Sequence, residues 1–173
     1  RKWRDLLVPR QLLTAGVFLR HTRSAIVQMR EQDSEHVEAL AVYLTVIFGK
    51  LMDYSSSLCR WRADHEEVNS SIAGYKLPVN WDFCEANPFA EIDRFYAGGI
   101  RTVSDAVGTF ATRASHSPSP PALRCVSSLA TELVGQDLCF TDAPYYDAIP
   151  YADLMNFFRI WQKRIIGDFN EEF

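Results

Sequence analysis

Asp142, Ala143, Pro144 and Tyr145 bring a carboxylate, a peptide carbonyl, a rigid pyrrolidine and a phenol together within four positions, directly after the run Cys139-Phe140-Thr141. A short apolar run that ends in an acid and a proline predicts the carboxyl end of a buried strand, Asp137–Thr141, with polar groups displayed at its tip. Pro144 fixes the local backbone and removes a competing N–H. The Asp142 carboxylate and the Ala143 carbonyl then form a cluster of acceptors beside an aromatic face, with Tyr145 or Tyr146 as the ring. The exocyclic amine of a base flipped out of DNA fits such a corner. The acceptors take its two hydrogens and orient the nitrogen lone pair, while the base stacks on the ring.

A second group is Arg60-Trp61 behind the serines Ser55, Ser56 and Ser57, a combination that suits phosphate contact by hydroxyls and guanidinium and stacking on the indole. A polar loop whose Trp61 fills the core is the competing reading. Other combinations specify less. Asp82 and Glu85 have no spacing that marks a glycosidase pair, and His65 beside Glu66 reads as surface. Gly98-Gly99 has neither a preceding strand nor a third glycine, which argues against a phosphate loop.

With 173 residues, 47% of them hydrophobic, the chain can bury one sizeable core. No run of about 18 apolar residues predicts a membrane span, and no signal peptide pattern is present. The first residue is arginine rather than methionine, which suits a fragment. Cys59, Cys84, Cys125 and Cys139 stand apart, with no zinc spacing; free thiols in a reducing cytoplasm are the plain reading. A net charge of −4 argues against the whole surface facing DNA. Arg1, Lys2, Arg4, Arg10, Arg20, Arg23 and Arg30 are nevertheless opposed only by Asp5 over residues 1–30, which suits a local phosphate-tracking patch or an ordinary solvated helix face.

The elements that must position these groups are mostly helical. Pro9 at a first turn and Leu12, Ala15, Leu19, Thr22, Ile26 and Met29 at steps of three and four predict a helix over 9–30. Ser34 is a good cap for the next, with Glu35 and Glu38 at its positive end. Its stripe from Val37 to Leu51, widened by Val42, Tyr43 and Val46, predicts the centre of a bundle. A short amphipathic segment follows over 63–71, ended by Gly74. The ring-rich stretch Leu77–Phe89 predicts ordered irregular structure. A further helix spans 91–113, with Gly98-Gly99 giving close packing or a break. Residues 114–121, rich in serine and proline, predict an exposed linker. Beyond it, strands at 123–127 and 137–141 and a helix over 152–164 predict one strand, corner and helix of a doubly wound sheet. The fold class expected is mainly α with a small α/β portion: a helical region over 1–113, the linker over 114–121, and a partial α/β unit over 122–173.

Asp142-Ala143-Pro144-Tyr145 resembles the Asp-Pro-Pro-Tyr signature of amino-methylating DNA methyltransferases, with alanine in place of the first proline. The longer run from Thr141 through Asp147, Pro150, Tyr151 and Leu154 to Phe157-Phe158 and Trp161 is similar to an adenine-specific DNA methylase family with an N-terminal domain of unknown function, associated with restriction of phage. Asp5–Leu12, Tyr54–Trp61 and Trp81–Phe89 resemble further blocks of that family in the same order. The resemblance implies methyl transfer from S-adenosylmethionine to the N6 amine of adenine in DNA. It gives Asp142 and the Ala143 carbonyl the amine, Tyr145 the stacked base, and Tyr146, Asp147 and Tyr151 the pocket wall. Alanine keeps the carbonyl and loses the φ restraint, so a less preorganised loop is expected. The glycine-rich cradle for the cofactor is missing, as is any match to the zinc ribbon that relatives often carry. The chain is therefore expected to need the rest of the methyltransferase polypeptide, to be inactive alone, and to have DNA as its other partner. A non-catalytic DNA-binding or assembly subunit of a restriction system, and a helical protein-interaction module, are the alternative readings.

Overall fold

A computed structural model describes residues 2–32, 36–91, 95–116, 119, 122, 124, 126–127, 135, 137–143, 145–146 and 148–167. Trp3–Leu6 forms a 3-10 turn, followed by α1 (Pro9–Glu31), α2 (Val37–Asp53), β1 (Arg60–Arg62), β2 (Glu67–Asn69), α3 (Tyr96–Ala114) and α4 (Tyr151–Ile166). The described residues are mainly helical, with one small two-stranded antiparallel sheet among them.

α1 starts at Pro9, where a missing N–H costs nothing. The Gln11 side chain accepts from the Val8 N–H at 2.9 Å and so satisfies a donor at the helix entry. Gln11, Ala15, Thr22 and Ile26 form its buried stripe. α2 lies at the centre, packed against α1, α3 and α4. Its buried positions are Ala41, Thr45, Ile47, Phe48, Leu51 and Met52, while Leu40, Val42, Tyr43 and Val46 remain exposed, so the widened stripe is only partly covered. Ser34 and Glu35 lie outside the described residues.

α3 meets α2 through Gly98 and Gly99, both buried. A methyl added at Gly99 would come within 2.9 Å of Lys50 Cδ, so the glycine pair serves close helix packing and not a break. α4 extends the expected helix by a residue or two at each end and buries Leu154, Phe157, Ile165 and Ile166. Phe157, Ile165 and Ile166 join Leu7, Ala15, Ile26, Phe48 and Met52 in the main core, so α4 shares its interior with α1 and α2. Trp3 packs edge-on against Phe157 at 5.9 Å, and Trp161 against Phe48 at 5.8 Å.

Two expectations are corrected. Where an amphipathic segment is expected over 63–71, the chain forms a hairpin over 60–69: Arg62 pairs with Glu67 across the sheet, and Glu66 turns the chain with a positive φ of 49°. The guanidinium of Arg62 binds Asp64 at 3.0 Å and Glu67 at 3.5 Å, which ties the loop to both strands. The strand at 137–141 is also absent, and Leu138 and Phe140 are exposed, the latter by 89%; of the strand expected at 123–127 only residues 124, 126 and 127 are described. A strand is stable only where a neighbour accepts its backbone hydrogen bonds, and β1 and β2 pair only with each other. Leu123 and Cys125 lie outside the described residues, as do most of 117–121.

Among the described residues no helix is long and apolar enough to cross a membrane.

Candidate functional site

The tyrosines that follow the acidic corner border an open hollow of about 460 Å³ at the N-terminus of α4. Its walls include Tyr145, Tyr146, Ile149, Pro150, Tyr151 and Asp153. The helix positions them: the Pro150 carbonyl accepts from the Leu154 N–H at 3.0 Å, and Leu154 is buried, which anchors the first turn to the core. The Tyr151 N–H donates to the Ile149 carbonyl at 2.8 Å, turning the chain sharply into α4. Tyr151 also rests against Tyr75, with ring centroids 6.2 Å apart. Tyr145 and Tyr146 are 74% and 100% exposed, so both rings are available to a flat ligand. Asp142 and Ala143 are exposed and do not line this hollow. The structure thus gathers three of the tyrosines and leaves the acid and the carbonyl outside them, which corrects the expectation of a buried strand tip. Pro144 and Asp147 lie outside the described residues.

Arg60 and Trp61 both point outward on β1, and Trp61 is 57% exposed. The core-filling reading of Trp61 is therefore incorrect: the ring stays more than half exposed, and its cross-strand partner Val68 is the buried one. Arg60, Trp61, Arg62, Asp64 and Asn69 surround a polar hollow of about 410 Å³. The serines do not join them. Ser56 is fully buried and its hydroxyl lies 2.6 Å from that of Ser71, while Ser57 donates to the Leu6 carbonyl at 2.8 Å.

Behind the hairpin lies a buried polar cluster that the sequence did not announce. The Ser71 hydroxyl donates to the Asp53 carbonyl at 2.7 Å, and the Cys59 sulfur sits 3.5 Å from Ser71 Oγ. Burial pushes the Cys59 thiol up, the opposite of what a nucleophile needs. Burial also pushes the Asp53 carboxyl up to about 6, against the opposing pull of the Ser71 and Ile72 N–H groups and the Lys50 charge. The spacing of three hydrophilic residues in a turn gave no sign of this, because the partners come from both sides of the hairpin.

The basic N-terminal region is partly consumed internally. Arg10 binds both oxygens of Glu85, which raises its pKa further through the hydrogen bonds and the charge. Arg4 stands 3.8 Å from Asp5, and Arg23 donates to the Arg164 carbonyl. Among the described residues no group of three or more His, Cys, Asp or Glu could hold a metal ion.

No strand followed by a glycine turn and a helix N-terminus occurs among the described residues. The left-handed glycines, Gly74 and Gly135, open no helix. The described residues therefore do not fit S-adenosylmethionine.

Comparison with family models, with curated proteins and with solved structures finds no match to this chain.

Proposed function

We propose that this chain is the target-base portion of an S-adenosylmethionine-dependent adenine-N6 DNA methyltransferase of a cytoplasmic restriction-modification or phage-defence system, with the cofactor held by the rest of the polypeptide. The observation that carries the reading is the open tyrosine hollow directly after Asp142-Ala143, at the N-terminus of a helix anchored in the core. The four sequence blocks that resemble the adenine-specific methylase family support it.

In this reading the base leaves the duplex and lies against Tyr145, with Tyr146, Asp147 and Tyr151 bounding its edge. The Asp142 carboxylate and the Ala143 carbonyl accept the two amine hydrogens, which turns the nitrogen lone pair out of the ring plane. Alignment and acceptors for the charge developing on nitrogen supply the rate, with no covalent intermediate on the protein. Pro144 stiffens the corner. Arg60 and Trp61 take the neighbouring strand by phosphate contact and stacking. Asp137–Thr141 becomes a strand when the remaining sheet of the Rossmann-like fold supplies its neighbours, which brings Asp142 to the tyrosines.

Full-length protein bearing Asp142→Ala tests this: methylation of adenine is lost while DNA binding is retained. Unchanged methylation would refute the assignment. The separation of Asp142 from the tyrosine hollow favours a second reading, a non-catalytic DNA-binding or assembly subunit of a restriction system. It requires that Asp142→Ala leave methylation by the assembly unchanged while removal of the whole chain weakens DNA binding or assembly.

A further inference from the structure

A second, larger groove lies along the C-terminal half of α4, away from the tyrosine hollow. It encloses about 910 Å³ between the 3-10 turn, α4 and the extended stretch at 77–79. Among the described residues its charged lining residues are Lys2, Arg4 and Arg164, and no carboxylate lines it. Asp5 pairs loosely with Arg4 and accepts from the Lys2 backbone N–H, and is not itself among the lining residues. The Arg164 guanidinium lies over the Trp161 ring at 5.8 Å and donates to its own helix at the Ile160 carbonyl, so ring and helix hold the cation in place. Trp3 and Trp161 contribute indoles, and Val79, 97% exposed, forms the outer lip.

Cations set among rings and aliphatic walls suit a ligand that is both anionic and flat. We infer that this groove binds single-stranded DNA, with phosphates on Lys2, Arg4 and Arg164 and an unstacked base against the apolar wall. A duplex keeps its bases paired and would leave that wall bare; a single strand offers ring faces and phosphates together. This inference rests on the DNA reading of the tyrosine hollow and extends it. The two hollows share one helix and one strip of chain: Tyr75 touches Tyr151, while Leu77 and Val79 line the groove beside Trp161. Ten residues of α4 separate Tyr151 from Trp161, about 15 Å along its axis. The groove is then the flank holder for the strand whose base is flipped.

The test is fluorescence anisotropy of a labelled single-stranded oligonucleotide of about twelve nucleotides with the whole chain, as a function of salt. The wild-type chain is expected to bind the single strand more tightly than the matched duplex. Val79→Asp, a change at a bare surface position, and the pair Arg4→Gln with Arg164→Gln should each weaken binding by about tenfold or more, and the pair should flatten the salt slope by about 0.7 for each cation removed. Arg159→Gln with Lys163→Gln, which removes two exposed cations of α4 outside the groove, should change little. Circular dichroism melts verify that each variant is folded.

Absence of oligonucleotide binding, an equal loss from both charge pairs, or full displacement by polyglutamate at matched charge would each overturn the inference. The last would mark an acidic-peptide groove instead. Failure here leaves the Asp142→Ala result standing, and failure of Asp142→Ala leaves groove binding measurable, so the two are separable.

Discussion

Arg10, on the first turn of α1, holds both carboxylate oxygens of Glu85 at 3.0 and 2.8 Å, although the two residues are 75 positions apart. Gln11 adds a bond from its side-chain amide to Glu85 at 2.8 Å, and Arg10 lies 5.9 Å from the Phe83 ring. A single acid thus fastens the irregular ring-rich stretch to the helix entry, where its charge also meets the positive helix end. It brings two of the blocks that share the family resemblance side by side.

Glu85→Ala should loosen that stretch and not unfold the bundle. The expected outcome is a small fall in the urea midpoint with unchanged m, together with faster limited proteolysis around 83–89. Proteolysis identical to wild type would show that the fastening has no mechanical role.

Phe157 is 1% exposed in the core, whereas Phe140 is almost bare. Phe157→Ala should therefore cost about 3–5 kcal/mol, and Phe140→Ala about 0.5 kcal/mol or less. Chemical denaturation of the chain measures both. Comparable losses would mean that Phe140 is packed in solution.

Gly108 lies mid-helix in α3 with open space where a side chain would project. Gly108→Ala should stabilise by about 0.5–1 kcal/mol, because alanine loses less backbone entropy in a helix. A thermal melt shifted downward would contradict the placement. Gly99→Ala has no such margin, since it must displace Lys50.

Asp53 gives the protein a pH dependence of defined sign. Its carboxyl titrates near 6 in the fold and near 3.8 when free, so the folded state holds the proton more tightly. Below the unfolded value both states are protonated and no penalty exists. Stability falls as pH rises from about 4 to 6 and stays lower above, by about 3 kcal/mol at most for a two-unit shift. Asp53→Asn keeps an acceptor for the Ser71 and Ile72 N–H groups and should remove most of that fall. Urea midpoints at pH 4.5 and 7.5 decide it: a gain for the variant that is equal at both values would refute the assignment.

Much of the helical frame was legible because it rests on local repeats. Pro9, the stripe Ala15–Thr22–Ile26 and the α4 anchors Leu154, Phe157 and Ile165 each sit where helical spacing places them. The hairpin at 60–69 was not legible, since three-residue strands show no period and Glu66 adopts a left-handed turn that its type rarely takes. The strand at 137–141 failed for the opposite reason. Its composition suits a buried strand, but composition cannot supply the neighbour that a strand requires. At the candidate site, Tyr145, Tyr146 and Tyr151 share one hollow because they lie close together in sequence at the entry to α4. The Arg10–Glu85 clasp and the Ser71–Asp53 cluster join residues distant in sequence, and no local pattern encodes such pairs.

The bare segment around Cys139 has a consequence at the bench. Cys139 is an exposed free thiol flanked by the exposed side chains of Leu138 and Phe140. Two copies meeting through this sticky strip would bring their sulfurs together. Preparations stored without reductant should therefore accumulate a covalent dimer that dithiothreitol reverses and Cys139→Ser abolishes.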